Sequence, residues 1–176
     1  MSLLSLHLLG SPVLRQQSAE VTAFDDELRQ FIDDLFETMD AARGAGLAAN
    51  QVGVAKRVAV VDADGYRFAM VNPVIRIKEG KVKAEEGCLS IPEMSADVVR
   101  ADRIVVDAFD RDGNPNSLEL WGYAARAVQH EVDHLDGILY IDYLSPLKRG
   151  LLLARYRKDN RGEGHIKVLK PATAGG

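Results

Sequence analysis

The sequence predicts an α+β fold in which antiparallel sheets pack around a late helix carrying H-E-x-x-H. A second helix lies near the N-terminus and a third near the C-terminus. Three observations carry this. Apolar residues recur at helical spacing in only a few stretches. Between those stretches, short β-branched runs are separated by Asp-Gly, Glu-Gly and Asn-Pro signals, which join neighbouring strands as hairpins. Strands and helices do not alternate, which excludes a doubly wound parallel sheet.

The apolar stretch 1–9 reads as a first strand, because it lacks the basic flank and A-x-A site of a secretory leader. Gly10-Ser11-Pro12 supplies a turn. Residues 22–39 are predicted to be helical. Thr22-Ala23-Phe24-Asp25 offers a capping box, and Leu28, Phe31, Ile32, Leu35 and Met39 fall on one face as core. Strands come next at 57–62 and 66–71, joined by Asp64-Gly65. Asn72-Pro73 interrupts; residues 74–78 alternate apolar and polar, and Glu79-Gly80 turns them into 81–84. A strand at 103–109 returns through Asp110-Arg111-Asp112-Gly113 to 117–120. The H-E-x-x-H helix is predicted over 122–135, with Gly137 as its stop. A last helix, 151–156, comes after the turn at Ser145-Pro146. There are no repeats and no low-complexity linker before residue 145. Residues 1–147 therefore read as one catalytic domain. Residues 148–176 read as a basic helix and tail, part of that domain or appended to it.

Composition narrows the function. In 176 residues, 47% hydrophobic and 27% charged is ordinary for a globular chain with a real core. A net charge of −4 argues against a general nucleic-acid binder, DNA included. No apolar run reaches membrane-spanning length. One cysteine excludes an internal disulfide and suits a reducing cytoplasm.

The chemistry is concentrated in Gln129-His130-Glu131-Val132-Asp133-His134. On a helix, positions i and i+4 share a face, so His130 and His134 aim two imidazoles at one point. Glu131 sits beside the first ligand, where it can act as general base without binding the metal, as in zincins. A third ligand has three candidate sources. Thermolysin-like proteases take a Glu from a later helix. Metzincins extend the motif to a third His, but here that position is Tyr140. The remaining source is Cys88, in Glu86-Gly87-Cys88-Leu89-Ser90. Alone, such a cysteine is more often a small buried hydrophobe. Beside H-E-x-x-H, with Gly87 before it and Pro92 stiffening the loop, it becomes the favoured ligand. Cys-His-His leaves a fourth position open, the mark of a catalytic site. His7 and His165 read as incidental.

Gly44-Ala45-Gly46-Leu47-Ala48-Ala49 matches a dinucleotide fingerprint in letters only. It comes after a helix and leads into a strand, the reverse of the order that fingerprint needs. The alternative is a bare backbone against an extended ligand, with Gln51 offering a neutral amide donor where negative charge develops.

These stretches together resemble peptide deformylases of the bacterial type, which carry G-x-G-x-A-A-x-Q, E-G-C-L-S and Q-H-E-x-D-H in this order. The resemblance spans most of residues 1–147. It implies hydrolysis of the N-formyl group from N-formylmethionyl nascent chains in the cytoplasm. It implies Cys88, His130 and His134 as metal ligands and Glu131 as base and acid. Gln51 and the Leu89 backbone amide would stabilise the oxyanion. Gly46 would hold the substrate backbone, Ala45, Glu86, Tyr123 and Ala127 would line the substrate site, and Arg100 would support Glu86. Thiolate ligation suits Fe(II), Zn(II), Ni(II) or Co(II); the resemblance implies Fe(II) in the cell.

The chain departs from the family in places. Ala45 stands where a larger β-branched residue is usual, and Asn50 replaces a frequent Thr with no effect expected. Trp121 and Tyr123 are bulkier than in several relatives. Tyr123 and Ala127 share a helical face with the two histidines, so they shape the pocket floor or simply pack in the core. From residue 148 onward basic residues cluster, opposed by Asp159 and Glu163. The tail is a solvated terminal helix or, as the resemblance implies, a contact with ribosomal RNA. Two rival functions are a metalloprotease cutting internal bonds and an inactive deformylase-like binding protein. Tyr140 and the Cys88 motif argue against the first, and the complete set of functional residues against the second.

Overall fold

The structure is a computed structural model that describes residues 2–162 and 164–171. Strand β1 (Leu6–His7) leads through a 3-10 turn to helix α1 (Asp26–Ala41). Strand β2 (Gly46–Ala48) passes through a second 3-10 turn into β3 (Val58–Ala63) and β4 (Tyr66–Glu79). Then come β5 (Val82–Cys88), β6 (Ile91–Arg100), β7 (Arg103–Phe109) and β8 (Pro115–Trp121). Helix α2 (Gly122–Leu135), a 3-10 turn, α3 (Pro146–Asp159) and β9 (Ile166–Lys167) complete the described chain. Among the described residues these strands pair antiparallel, in the orders β2-β3-β4-β7-β8, β5-β6 and β1-β9, and one isolated parallel bridge joins Ala19 to Lys56.

Helix α1 starts later than the capping box at Thr22 suggests. Asp25, and not Thr22, is the cap: its carboxylate accepts the Leu28 N–H at 2.9 Å. Asp26 and Glu27 then place negative charge at the helix N-terminus, where the dipole favours it. Ile32, Leu35 and Met39 are fully buried, each stabilising the fold by roughly 1.5–3 kcal/mol relative to exposure.

Asn72-Pro73 bends a strand without ending it. β4 pairs with β3 in its first half and with β7 in its second, and register shifts accompany the left-handed Asn72 (φ 51°). The turn at Glu79-Gly80 therefore does not fold 81–84 back on 74–78. It sends β5 into a separate hairpin with β6, a strand hidden in the sequence by Pro92. The period of two is nonetheless there. Met94, Val98 and Arg100 are buried, while Glu93, Ser95, Asp97 and Val99 are exposed.

β3 is apolar on both faces because both are covered. Val58 and Val60 meet α1, and Ala59 and Val61 meet α2. The H-E-x-x-H helix spans 122–135 as predicted, and Gly137 (φ +76°) stops it, donating to the His134 carbonyl at 3.0 Å. A Cβ at Gly137 would lie 2.7 Å from the Arg15 carbonyl oxygen. A third apolar cluster, including Ile91, Val98, Tyr140, Ile141 and Tyr156, joins the β5–β6 hairpin to the chain after α2 and to α3. Helix α3 begins at Pro146, five residues before the predicted 151, because Ser145 caps it by accepting the Lys148 N–H. Glu163, expected to oppose the basic tail, lies outside the described residues.

Candidate metal centre and active site

His130 and His134 lie one turn apart on α2, ring centroids 4.8 Å apart, with Nε2 atoms 3.1 Å from each other. Cys88 ends β5 with its Sγ 3.3 Å from His134 Nε2. The three ligand atoms lie within 4.8 Å of one another. His130 is fixed from behind: its Nδ1 faces Glu86 Oε1 at 2.9 Å, so Nε2 points to the shared centre. Burial lowers the His134 pKa well below the ordinary value, and His130 lowers it further. Burial likewise disfavours the His130 cation, but Cys88 and Glu86 outweigh it and raise that pKa. Two buried imidazole nitrogens and a thiol this close, with one His directed by a carboxylate, fit a cation between them. A soft-to-borderline divalent metal matches the donor set.

Glu131 is almost fully buried, its Oε1 3.9 Å from His130 Nε2 and its Oε2 without a partner among the described residues. Burial pushes its pKa up to about 7, with His130 opposing. Gly46 makes this approach possible: a Cβ there would lie 2.8 Å from Glu131 Cγ. Gly44 similarly admits Leu89, whose Cδ1 would be 2.7 Å from an added Cβ.

Gln51 is buried in the turn after β2. Its Oε1 accepts the Ala48 N–H at 2.9 Å, which orients the amide. Its Nε2 then donates to Ser90 Oγ at 3.1 Å and lies 3.7 Å from Cys88 Sγ. Asn50, expected to be a neutral replacement, has a role. Its buried Nδ2 donates to the His134 carbonyl and ties the Gln51 turn to the end of α2.

A cleft of about 430 Å³ collects Ala45, Gly46, Gln51, Glu86, Cys88, Leu89, Tyr123, Ala127, His130 and Glu131 along its lining. His134 stays behind, 1% exposed. Tyr123 is 54% exposed, and Ala127 is buried. Trp121 is not among the lining residues. Tyr140, where metzincins have a third ligand, stacks on His130 at 6.3 Å. His7 and His165 contact Ser11 Oγ and the Leu9 carbonyl and are not part of the Cys88, His130 and His134 group.

The Glu86 carboxylate is held by Arg100 at 2.8 and 2.9 Å, as expected, and also by Arg126 at 2.6 Å. Burial alone would raise its pKa; Arg100, then His130, reverse this and bring it to about 2. Arg100 also bonds Asp133, which accepts the Tyr143 hydroxyl at 2.7 Å. Sequence reasoning misses Arg126, Asp133 and Tyr143. For Arg126 a signal exists: it precedes His130 by four residues and so shares its face.

A helix-borne H-E-x-x-H, a cysteine close to both histidines and an open cleft are the arrangement expected of a metal-dependent hydrolase. The sequence pattern of the family described as polypeptide deformylase matches residues 4–150. The chain is 45% identical over 172 residues to the peptide deformylase of Alkalilimnicola ehrlichii, covering 96% of both chains. It is 45% identical over 175 residues to that of Brucella suis biovar 1, covering 96% of this chain and all of that one. Among solved structures, the peptide deformylase from Legionella pneumophila superposes with a TM-score of 0.87 at 40% identity, over 91% of this chain and 96% of that one. The enzyme from Ehrlichia chaffeensis in complex with actinonin gives 0.86 at 40% identity, over 92% and 99%. The chain belongs to the polypeptide deformylase family.

Proposed function

We propose that this enzyme removes the N-formyl group from polypeptides beginning with formylmethionine, releasing formate, with one divalent metal held by Cys88, His130 and His134. The observation that supports this best is the convergence of those ligand atoms beside buried Glu131, in a cleft at the edge strand β2. A bound metal supplies Lewis-acid polarisation of the attacking water and of the formyl carbonyl. Glu131, its pKa raised to about 7 by burial, takes the water's proton and returns it to the amine nitrogen as the C–N bond breaks. The Gln51 amide and the Leu89 N–H stabilise charge growing on the formyl oxygen; such donors are worth ~3 kcal/mol each. Gly46 and its strand pair with the peptide backbone as an added strand. Ala45, Tyr123 and Ala127 wall the methionine side chain. We assign Glu86 to orienting His130 and not to touching substrate, because its oxygens accept from Arg100, Arg126 and His130.

The test is hydrolysis of formyl-Met-Ala-Ser beside a blocked internal peptide. Turnover of the first alone is expected; cleavage of the second would indicate an internal protease, and neither an inactive relative. Among Fe(II), Zn(II), Ni(II) and Co(II), Fe(II) is the cellular metal we propose, checked by elemental analysis of anaerobically purified protein. The free Cys88 thiol accords with a reducing cytoplasm; among the described residues no helix is long and apolar enough to cross a membrane. We read the described residues from 148 to 171 as an extension of the catalytic unit of 1–147, because Tyr156 of α3 shares an apolar cluster with Val98 and β9 pairs with β1. We also propose that the exposed Lys148, Arg155 and Lys158 of α3 contact ribosomal RNA.

A further inference from the structure

The three proposed ligands come from elements that share no sheet. Cys88 ends β5, in a two-stranded sheet of its own, while His130 and His134 stand on α2 beside the five-stranded sheet. Donor atoms about 2.0–2.3 Å from one ion must keep their separations to within about 0.2 Å. The hairpin therefore has to be fixed against the helix by side chains.

Arg126 spans that gap. It lies on α2 one turn before His130, with a side chain only 7% exposed. Its Nη1 donates to the Val98 carbonyl on β6 at 2.8 Å and to Glu86 Oε2 at 2.6 Å. Its Nη2 donates to the Val82 carbonyl on β5 at 2.6 Å. One guanidinium thus grips both strands of the hairpin and the carboxylate that directs His130. Arg100 works differently. It belongs to β6, so its two bonds to Glu86 stay inside the hairpin, and it reaches α2 through Asp133.

We infer that Arg126 is a positioning residue for the metal centre: it sets the β5–β6 hairpin on α2 and so governs how tightly Cys88, His130 and His134 hold their ion. This rests on the assignment of those three residues as ligands. The planar fork is what the arrangement needs. A lysine ammonium concentrates its donors on one atom and cannot serve two strands and a carboxylate together. A methionine fills similar volume but removes the bonds to the Val82 and Val98 carbonyls and leaves the buried Glu86 carboxylate with one fewer donor.

The experiment compares Arg126→Met, Arg126→Lys, Cys88→Ala and Leu28→Ala with the unaltered full chain. Leu28→Ala lowers stability from the α1 layer, away from the hairpin. Zn(II) affinity is read by competition with a chromophoric chelator, and Tm is read on metal-free protein. Arg126→Met is expected to weaken Zn(II) binding about 10–100-fold, the range for groups supporting metal ligands, with Arg126→Lys between it and the unaltered chain. Leu28→Ala is expected to lower Tm and leave affinity within about twofold. Unchanged affinity in Arg126→Met overturns the inference, as does an equal loss in Leu28→Ala. If Arg126→Met does not fold, Arg126→Lys decides in the same way: weaker binding supports the inference and equal binding overturns it. Cys88→Ala separates the two layers. If it binds Zn(II) as tightly as the unaltered chain, the ligand assignment fails; if it loses Zn(II) while both Arg126 variants keep it, only the role of Arg126 fails.

Discussion

The layer made of α1, the five-stranded sheet and α2 differs in kind from the β5–β6 hairpin. The first is joined by apolar packing: β3 alone presents Val58 and Val60 to α1, and Ala59 and Val61 to α2, all fully buried. The second meets α2 through charge, with Glu86, Arg100, Arg126 and Asp133 buried or nearly so. Packing thus sets α2 against the sheet, while the hairpin that ends in Cys88 meets that helix through ion pairs and packs through its apolar side on the chain after α2. Removing one member of such a network leaves partners uncompensated, so its effects should be abrupt where those in the apolar layer are graded.

The largest expected effect breaks the junction of the two regions. Cys88→Ala should lose bound metal and turnover of formyl-Met-Ala-Ser together, with the far-ultraviolet circular dichroism unchanged. Full metal occupancy by elemental analysis would remove Cys88 from the ligand set. Next, Glu131→Gln should keep its metal and lose ~10²–10⁴-fold in kcat, because an amide can neither accept nor return the proton. Turnover within about tenfold of the unaltered enzyme would be too small a loss for a general base. Gly46→Ala tests the apolar side. Its Cβ would sit 2.8 Å from Glu131 Cγ, and displacing that carboxylate by ~1 Å should cost about 10²-fold in kcat. Normal kcat in a folded Gly46→Ala protein would show that Glu131 has room to shift without consequence.

A smaller effect comes from pH. The Glu86 carboxyl has a folded pKa of about 2, below its ordinary 4.5. It therefore contributes stability that is present above pH 4.5 and lost as pH falls toward 2. The contribution is on the order of 3 kcal/mol by linkage. Between these pH values Tm should fall more steeply for the unaltered chain than for Glu86→Gln, and parallel curves would contradict the ionised cluster. The smallest effect on catalysis concerns α3. Reversing Lys148, Arg155 and Lys158 to Glu should leave turnover of small formyl peptides within about twofold and abolish salt-sensitive ribosome co-sedimentation. Reversal is preferable to truncation after Leu147, which would strip Tyr156 from its cluster. Undiminished co-sedimentation would leave α3 a structural helix.

The same contrast explains what could be read in the sequence. The bounds of α2, the Asp64-Gly65 hairpin and the contiguous motifs around Gln51, Cys88 and His130 were legible, because each depends on neighbours within a few residues. The β5–β6 pairing was not, since Pro92 masked an otherwise regular alternation and turn signals do not say which strand is met next. Without that pairing, the contacts of Arg126 with Val82 and Val98 cannot be foreseen. β9 was illegible for another reason: two residues carry no period. Asn50 reads as an exchange of one small polar residue for another, and its bond to the His134 carbonyl depends on a turn meeting a helix end 84 residues away.

X-ray absorption at the zinc edge of the Zn(II)-loaded protein tests the central claim most directly, that one hairpin cysteine joins two helix histidines at a single ion. The account predicts one sulfur near 2.3 Å with nitrogen near 2.0–2.1 Å. A shell of nitrogen and oxygen alone in the unaltered protein would contradict it.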